Sequence, residues 1–269
     1  MNWLDALIMG IVQGLAEYLP ISSSGHLEIC NKILGLNLDE EVALSFDLAL
    51  HVATVLSTIV VLWYEFFPLC RSFFTIKRDN DFWMVCKILV SCIPVAIVGL
   101  CFKDYIEGFF GGQLLVVGIC LLVTAALLAL TYFTRHNTVG RRGRDITWLD
   151  AFVIGCAQAV AVLPGLSRSG TTIATGILLG DDRVKVARFS FLMVIIPILG
   201  EALLDIKGML AGDAGTSAAV GFLPLMIGFF SAFVVGCIAC KWMLDIVKKG
   251  KLIWFAIYCA IVGLVCIFW

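Results

Sequence analysis

Long apolar runs dominate the pattern of hydrophobic and polar positions, and short polar stretches separate them. A transmembrane helix needs about 20 mostly apolar residues to cross the hydrocarbon core of a bilayer. Six runs are long enough and predict membrane-spanning helices at 46–64, 84–103, 113–133, 186–206, 219–240 and 252–269. The remaining segments, 1–45 and 148–182, contain shorter apolar helices that Pro, Gly and Ser interrupt. We therefore expect an all-α polytopic membrane protein with a single domain over residues 1–269.

The composition agrees with this class of protein. Hydrophobic residues make up 61% of the chain and charged residues only 14%, whereas a soluble domain carries about a quarter charged residues. The mean hydropathy is +1.02. A formal net charge of -1 argues against a nucleic-acid partner, so membrane lipids are the expected surroundings. The 11 cysteines lie mostly in apolar runs, where we expect them to be small buried hydrophobic side chains.

Basic residues between the predicted spans indicate the orientation of the chain. Three loops are rich in Lys and Arg: 65–83, 134–147 and 241–251. The other two loops, 104–112 and 207–218, contain a single lysine between them. The positive-inside rule places the basic loops in the cytoplasm and the other two outside. Counting the spans then puts both termini outside.

The two segments that are too short to span resemble each other. Trp-Leu-Asp-Ala begins at Trp3 and again at Trp148, and a Gly, a Gln and a closing Ser-x-Ser-Gly recur at the same offset of 145 residues. We interpret this as an internal duplication, with repeats over approximately 1–133 and 148–269 joined by the cytoplasmic loop 134–147. Three predicted spans separate the copies, so the copies must have opposite topology. Each is then a re-entrant helix–loop–helix segment, and the two meet inside the membrane, an arrangement that builds binding sites.

The first segment concentrates reactive side chains at a break between two helices. Gln13 and Glu17 are four residues apart and share one face of a short helix that Pro20 ends. The next helix starts with donors from Ser22, Ser23, Ser24 and Gly25. His26 lies in its first turn. A carboxylate, a hydroxyl and an imidazole therefore converge on a helix N-terminus, which attracts anions.

The second segment supplies a positive charge. Arg168 presents a planar guanidinium that suits phosphate, and an ionisable side chain inside a membrane is a functional candidate because its burial is costly. The hydroxyl and backbone donors beside it belong to Ser167, Ser169, Gly170, Thr171 and Thr172. Two simpler explanations stay open: the serines act only as helix caps, and Glu17 pairs with Arg168 to hold the loops together. We expect His51 to be a satisfied buried histidine or a supporting group rather than a catalyst.

The motifs 13-QGLAEYLPISSSGH-26 and 164-PGLSRSGTT-172 resemble the two signatures of the undecaprenyl-diphosphate phosphatase family, also called the bacitracin-resistance protein family. The resemblance covers the whole chain. It implies hydrolysis of undecaprenyl diphosphate to undecaprenyl phosphate and inorganic phosphate, which recycles the lipid carrier of peptidoglycan synthesis and confers bacitracin resistance. It also implies interlocked inverted repeats in the bacterial inner membrane and an active site open to the external, periplasmic face.

The resemblance assigns roles to individual residues of this chain. It implies that Glu17, Ser23, His26 and Arg168 are catalytic. It implies substrate binding by Gln13, Ser22, Ser24, Gly25, Ser167, Ser169, Gly170, Thr171 and Thr172. Gln13 stands where many members have a second glutamate, which weakens any role for this position as an ionised base or a metal ligand. A divalent cation, Mg²⁺ or Ca²⁺, is also implied, held partly by Glu17.

Several mechanisms and classes of protein stay open. We favour attack by Ser23 with His26 as the base, over a phosphohistidine at His26 with water activated by Glu17, and over direct attack by water. The alternative class is a transporter or flippase of polyprenyl phosphate or another anion. The acid-phosphatase-like lipid phosphatases do not fit, because no histidine follows Arg168 to act as their nucleophile. A homodimer also stays open.

Overall fold

The computed structural model describes residues 1–36, 40–102, 114–134, 143–210 and 221–269. The predicted external loop 104–112 lies outside these residues, as do most residues of the loops 134–147 and 207–218. The described ranges contain twelve helices: α1 (Trp3–Ala16), α2 (Ser23–Leu34), α3 (Glu40–Val61), α4 (Trp63–Phe74), α5 (Asn80–Cys101), α6 (Leu114–Thr134), α7 (Trp148–Val160), α8 (Arg168–Leu179), α9 (Arg183–Met193), α10 (Ile195–Leu210), α11 (Phe222–Lys249) and α12 (Ile253–Phe268).

Four of the described helical stretches are long and apolar enough to cross a membrane. They are α5, α6, α11 and the stretch Arg183–Leu203, to which α9 and α10 both contribute. A fifth candidate is the pair Ser45–Val61 and Trp63–Phe74, which is bent by 90°. The helix α12 is apolar but has only 16 residues. The fold is thus that of an all-helical multi-pass membrane protein with four or five spans by length and composition, compared with the six predicted.

The predicted loop 65–83 begins with a helix instead of a loop. The chain breaks after α3 at Leu62 and turns by 90° into α4. Tyr64 and Phe74 of α4 are 89% and 82% exposed, whereas Leu69 is buried. An amphipathic helix with exposed aromatic rings and a basic residue suits the membrane surface. Arg71, one of the basic residues that predicted a loop, therefore lies on a helix. Counting charges does not distinguish a helix on the membrane surface from a loop.

The predicted span 186–206 corresponds to the candidate span Arg183–Leu203, in which a single residue, Val194, interrupts the helix between α9 and α10. Pro197 has no backbone N–H and cannot bond to the carbonyl of Met193 four residues earlier. The thiol of Cys92 donates to that carbonyl instead, at 3.6 Å. The break therefore has a local cause, and α5 supplies a compensating donor.

The repeated Trp-Leu-Asp-Ala motif forms the same helix start in both segments. Asn2 caps α1 by accepting from the backbone N–H of Asp5 at 2.8 Å, and the Asp5 side chain accepts from the backbone N–H of Asn2. Thr147 and Asp150 form the same reciprocal pair at the start of α7. Each aspartate is therefore part of a capping box, which satisfies two N–H groups that a helix leaves without partners.

The second helix of each segment also begins and ends in the same way. The hydroxyls of Ser22 and Ser167 cap α2 and α8 by accepting from the N–H groups three residues later. Gly35 and Gly180 end these helices with positive φ angles of 62° and 95°. This left-handed conformation favours glycine. The two short helical segments thus share four capping positions at one spacing.

Each segment packs against a long helix from the other half of the chain. The helix α1 packs along α11, and α7 packs along α5. A Cβ atom on Gly10 would lie 2.4 Å from the Gly228 carbonyl oxygen, and one on Gly155 would lie 2.3 Å from that of Ser91. Small residues let membrane helices approach this closely. Each short segment therefore packs closely against a long helix of the opposite half of the chain.

The helices α6 and α12 cross at a reciprocal glycine contact. A Cβ atom on Gly118 would lie 2.7 Å from the carbonyl oxygen of Gly263, and a Cβ atom on Gly263 would lie 2.8 Å from that of Gly118. Both helices therefore need a residue without a side chain at this crossing.

The substitution Gly118→Ala should destabilise the protein, because its methyl group forces α6 and α12 apart. Overpacking of this kind costs about 1–3 kcal/mol, which corresponds to a fall in Tm of about 2–10 °C for a chain of this size. Thermal melts of purified protein in detergent measure the effect. The control is Gly99→Ala in α5, where a Cβ atom has no neighbour within 4 Å. Equal melting temperatures of Gly118→Ala and Gly99→Ala would contradict the close contact between α6 and α12.

An ion cluster connects the two ends of the second segment, where α7 begins and α8 ends. Arg144 Nη2 lies 2.8 Å from Asp150 Oδ1, and Arg144 Nε lies 3.3 Å from Asp181 Oδ1. Burial and the neighbouring charge of Asp150 raise the pKa of Asp181 to about 6. The single guanidinium is thus shared by two buried carboxyls, and it connects the start of α7 to the turn that follows α8.

Candidate active site

The first loop turns sharply between α1 and α2. Ser22, the N-cap of α2, has a φ of 71°, which is uncommon for a residue other than glycine and carries local strain. Ser22 Oγ accepts from the N–H of Gly25 at 3.3 Å. The turn brings the first residue of α2, Ser23, back towards the end of α1, where Glu17 lies.

Glu17 is the centre of the polar contacts in this loop. Its Oε2 atom accepts from Ser23 Oγ at 2.7 Å and from Gln13 Nε2 at 3.1 Å. His51 Nε2, from α3, lies 3.9 Å from the same oxygen. The side chain of Glu17 is only 9% exposed. These donors favour the ionised carboxylate, and the contact with Ser23 places a base directly on that hydroxyl.

His26 makes its hydrogen bonds away from Ser23. Nδ1 lies 2.9 Å from the carbonyl oxygen of Ser22, and Nε2 lies 2.7 Å from the hydroxyl of Tyr258. A carbonyl only accepts, so Nδ1 carries the hydrogen, and Nε2 of the neutral ring accepts from Tyr258. The expectation that His26 contacts Ser23 is therefore a prediction that the structure corrects: one helical turn brings the residues near, but the tertiary contact with Tyr258 directs the imidazole elsewhere.

The second loop is held tightly against α6 and capped at the start of α8. Gly165 has a φ of 89°, and a Cβ atom there would lie 2.7 Å from Val117 Cα. The backbone N–H of Ser167 donates to Thr124 Oγ1 at 3.1 Å, and Ser167 Oγ accepts from the N–H of Gly170. The N-terminus of α8 is thus fixed by its neighbours, with Arg168 as its first residue.

The two loops touch directly. Ser169 Oγ donates to the carbonyl oxygen of Leu19 at 3.3 Å. A Cβ atom on Gly25 would lie 3.1 Å from Gly165 Cα, and one on Gly170 would lie 3.1 Å from Pro20 Cβ. The sequence predicted that the segments meet, and these contacts bring their helix starts together.

Glu17 and Arg168 line one cleft, which we call the Glu17–Arg168 cleft. Residues from the first loop, α3, α8, α9 and the α9–α10 break line it. Arg168 stabilises the Glu17 carboxylate electrostatically, but within the described residues the two side chains form no direct ion pair at 4.0 Å or less. The Glu17 carboxylate and the Arg168 guanidinium therefore line the same cleft without pairing directly across it.

The other predicted residues occupy several positions around this cleft. Ser169 and Thr172 line it together with Glu17 and Arg168. Ser23 borders it through its bond to Glu17, and Ser24 contacts Ser22 at 3.3 Å in the first turn of α2. Thr171 is buried, and its hydroxyl has no hydrogen-bond partner in the described part of the chain. The structure thus gathers the loop residues, with His26 on the side of α12.

Sequence reasoning missed the groups that other helices bring to the loops. His51 was expected to be buried or supporting, and it faces Glu17 while its Nδ1 lies 2.8 Å from the Asp47 carbonyl oxygen. Tyr258 and Tyr18 were not singled out. Tyr258 is 232 residues from His26 in the chain, and no local pattern signals a contact over that separation.

Tyr18 fastens the first loop to α3. Its hydroxyl donates to the carbonyl oxygen of Thr54 at 2.6 Å and contacts the hydroxyls of Ser57 and Thr58. Tyr18 is 2% exposed, so these contacts replace hydration of the phenol. Because Tyr18 follows Glu17 directly, its anchor also fixes the backbone that carries the carboxylate.

For the hydrolysis that the sequence resemblance implies, the substitution Tyr18→Phe should lower kcat/KM about tenfold, because it removes the phenol that anchors the backbone beside Glu17. A buried hydrogen bond contributes about 0.5–1.5 kcal/mol net, and the Thr54 carbonyl oxygen keeps its bonds from Ser57 and Thr58. Steady-state phosphate release by the purified variant measures the effect. Tyr64→Phe is the matched control, since Tyr64 is 89% exposed. An unchanged rate in Tyr18→Phe would contradict the positioning role.

One buried oxygen beside Glu17 has no partner. Gln13 donates through Nε2 to Glu17, and its Oε1 atom is buried without a hydrogen-bond partner among the described residues. Carboxylate and amide oxygens are the ligand types that Mg²⁺ and Ca²⁺ prefer. Within the described ranges no group of three or more His, Cys, Asp and Glu side chains could hold a metal ion by itself. The donor set of Gln13 and Glu17 therefore fits a hard cation that takes its other ligands from substrate and water.

The fold and the site together define a multi-pass membrane protein with a cleft between two helix-break loops, lined by a carboxylate and a guanidinium. The chain belongs to the bacitracin resistance protein BacA family, whose sequence model matches residues 6–265. Two similar proteins, from Bacteroides fragilis and Parabacteroides distasonis, are 55% and 56% identical to it over 267 residues, covering 99% of this chain and 98% of each relative. A relative from Carboxydothermus hydrogenoformans is 39% identical over 98% of this chain and 95% of its own. All three are named undecaprenyl-diphosphatase.

Proposed function

We propose that this protein hydrolyses undecaprenyl diphosphate to undecaprenyl phosphate and inorganic phosphate. The observation that carries the proposal is the Glu17–Arg168 cleft, which places a buried base and a guanidinium around one space inside a membrane protein. The relatives named undecaprenyl-diphosphatase, at 55–56% identity over nearly the whole chain, support the same activity. The reaction breaks the bond between the terminal phosphorus and the bridging oxygen, with water supplying the hydroxyl group of the released phosphate.

Arg168 and the N-termini of α2 and α8 supply the positive potential for the diphosphate. The guanidinium offers paired N–H donors that match two phosphoryl oxygens. Helix N-termini add unpaired N–H groups and a favourable dipole. Preorganised donors of this kind stabilise the charge that develops during phosphoryl transfer.

Ser23 is the nucleophile that the geometry favours, with Glu17 as its base. Ser23 Oγ already donates to Glu17 at 2.7 Å, so its proton passes to the carboxylate as oxygen attacks phosphorus. The resulting phosphoserine is then hydrolysed by water. His26 acts on phosphate in this scheme only after its Nε2 leaves Tyr258. This differs from the sequence-based expectation, in which His26 was the base.

Comparison of Ser23→Ala with His26→Ala tests the choice of nucleophile. We expect Ser23→Ala to lose at least about 10²-fold in kcat, since it removes the attacking atom. His26→Ala should lose less and retain the acid-stable phosphorylated intermediate in rapid-quench samples. A Ser23→Ala variant that keeps most of its rate, or an acid-labile phosphohistidine, would reject the serine scheme.

A divalent cation held by Glu17 and Gln13 Oε1 is the second part of the proposal. It would neutralise charge on the diphosphate when bound. The buried, unpartnered amide oxygen of Gln13 supports it, and makes glutamine a neutral substitute for a second carboxylate. Chelation should abolish turnover, and Mg²⁺ or Ca²⁺ should restore it. Full activity of a metal-depleted sample would reject this part.

The topology that we propose is an inverted repeat with six spans. The offset of 145 residues that relates Trp3 to Trp148 also relates Gly118 to Gly263, whose contact is reciprocal. A two-fold relation between two elements produces reciprocal contacts of this kind. The sixth span would be α12, which pairs with α6 along its length despite its 16 residues. Repeats over 1–133 and 148–269 within one domain stay a prediction.

The proposed location is the bacterial inner membrane, with the cleft open to the external face and both termini external. The distribution of Lys and Arg supports this orientation, with Lys248 and Lys249 at the end of α11 as an example. In this position the enzyme would recycle the lipid carrier used for peptidoglycan synthesis. A homodimer stays a prediction.

Phosphate release by purified protein in detergent separates hydrolysis from transport. A phosphatase releases inorganic phosphate from undecaprenyl diphosphate without a sealed compartment, whereas a transporter of polyprenyl phosphate needs two compartments. We expect multiple turnovers in detergent. A purified, folded and metal-supplemented protein that releases no phosphate would reject the proposed function.

A further inference from the structure

The Glu17–Arg168 cleft is lined by six side chains with hydroxyl groups: Tyr18, Thr54, Thr58, Ser169, Thr172 and Ser190. A phosphoryl group carries several acceptor oxygens and no strong donors, so the cleft must supply hydrogens. Whether a hydroxyl can contribute depends on where its own hydrogen already points. The hydrogen bonds of the six groups therefore decide which of them is available.

Five of these hydroxyls already donate to backbone carbonyl groups. Tyr18 and Thr58 donate to the carbonyl oxygen of Thr54, at 2.6 Å and 3.1 Å. Thr54 donates to that of His51 at 2.8 Å. The Ser169 hydroxyl donates to the backbone carbonyl oxygen of Leu19 at 3.3 Å. The Thr172 hydroxyl donates to the backbone carbonyl oxygen of Arg168 at 2.9 Å.

Ser190 differs from these five hydroxyls. Its Oγ atom is buried and has no hydrogen-bond partner within the described part of the chain, and the residue is 4% exposed. A serine on a helix commonly donates to the carbonyl three or four residues earlier. An unmatched buried hydroxyl costs about 1–3 kcal/mol, so its presence in the cleft wall points to a partner that binds there.

The neighbouring residue fixes Ser190 relative to the reacting groups. The ring of Phe191 packs edge-on against that of Tyr18, with centroids 5.3 Å apart and an interplanar angle of 86°. Tyr18 directly follows Glu17, and α9 ends three residues after Ser190 at the break before α10. The wall that carries Ser190 is thus in contact with the loop that carries the carboxylate.

We propose that Ser190 is a substrate-binding residue whose hydroxyl donates to a phosphoryl oxygen of the diphosphate in the Glu17–Arg168 cleft. Ser190 lies on α9 and Arg168 on α8, and both line the same cleft, so the hydroxyl adds a neutral donor to the charged donors of the guanidinium. The identity of the ligand as a lipid diphosphate depends on the proposed function, whereas the binding of a phosphoryl group at Ser190 does not.

The decisive variant is Ser190→Ala, because it removes a hydroxyl that has no described partner in the free protein. We expect an unchanged or raised Tm together with a loss in kcat/KM of about tenfold to 100-fold, which is typical of one hydrogen bond to a charged group. The inhibition constant of inorganic pyrophosphate should rise by a similar factor. Ser91→Ala is the control, since Ser91 is a fully buried serine that donates to the Ile88 carbonyl oxygen in α5. Its activity should match the wild type.

Ser190→Cys provides an intermediate case if Ser190→Ala does not fold. A thiol of similar size is a weaker donor, so its kcat/KM should lie between those of the wild type and Ser190→Ala. Activity within twofold of the wild type in Ser190→Ala, or a loss of activity that only follows a lower Tm, would overturn the proposal. A wild type that binds pyrophosphate but hydrolyses no lipid diphosphate would reject the proposed function alone, because the change in pyrophosphate binding would still test Ser190.

Discussion

Replacing Glu17 by glutamine should lower kcat/KM for undecaprenyl diphosphate about 10³-fold, within the range expected for loss of a general base. Glutamine keeps the size of the side chain and one oxygen for Ser23, but it cannot take the proton of the attacking hydroxyl. It also removes the negative charge that faces Arg168 across the cleft. Steady-state phosphate release by purified protein in detergent measures the loss.

The control for this variant is Glu28→Gln, since Glu28 is a nearby glutamate on α2 that does not line the cleft. Its activity should stay within about twofold of the wild type, as for substitutions away from a site. The two variants should also melt at similar temperatures. A Glu17→Gln enzyme with more than a tenth of wild-type activity would contradict the role of Glu17 as the base.

Replacing Arg168 by lysine should lower kcat/KM about 10²–10³-fold, as expected when a preorganised donor to developing charge is lost. Lysine keeps the positive charge but replaces the planar fork with a single ammonium group, which does not bind two phosphoryl oxygens in the same geometry. The inhibition constant of inorganic pyrophosphate should rise in parallel, because the ground state also uses the fork.

Arg188→Lys is the matched control for Arg168→Lys. Arg188 lies on α9 and pairs with Glu65 at 3.0 Å, and its side chain is 47% exposed. An exposed ion pair contributes about 0–1 kcal/mol, so the control should retain both activity and stability. Equal activities of the two lysine variants would show that charge alone suffices and would contradict the bidentate role.

The sequence predicted the helical class and the two helix-break segments, because both depend on local signals. Run length and composition identify α5, α6 and α11, while Pro, Gly and Ser identify the breaks around Pro20 and Pro164. The 90° turn at Leu62 was not predicted, because the hydropathy of a segment does not indicate where a helix changes direction. The break at Val194 could have been suspected from Pro197, but a proline in an apolar helix does not by itself end a span.

The site was predicted in its components and only partly in its contacts. Glu17 and Arg168 could be found because a charge inside a membrane is exceptional. The partner of Ser23 could not be decided, because the helical spacing permits His26, whereas the strained turn at Ser22 directs Ser23 to Glu17. Ser190 lies in an ordinary apolar run, and only its position in the cleft wall and its missing partner draw attention to it.

The sequence match between the two halves at an offset of 145 residues extends beyond the motifs that first indicated it. Ser190 and Phe191 stand at the offset of 145 residues from Ser45 and Phe46. A comparison of the complete halves at this offset would have found the pair before the structure was known. That comparison would not have shown that Ser190 lines the cleft, because the sequence match alone does not say which residues of each half face it.

The most direct test of the central claim, that Glu17 and Arg168 act in one hydrolytic site, is the kcat/KM of the double variant Glu17→Gln/Arg168→Lys. Residues that act as a unit lose activity in a strongly non-additive way. We predict that the double variant releases phosphate no more than about tenfold more slowly than Glu17→Gln alone. A double variant whose loss equals the product of the two single losses would contradict a shared site.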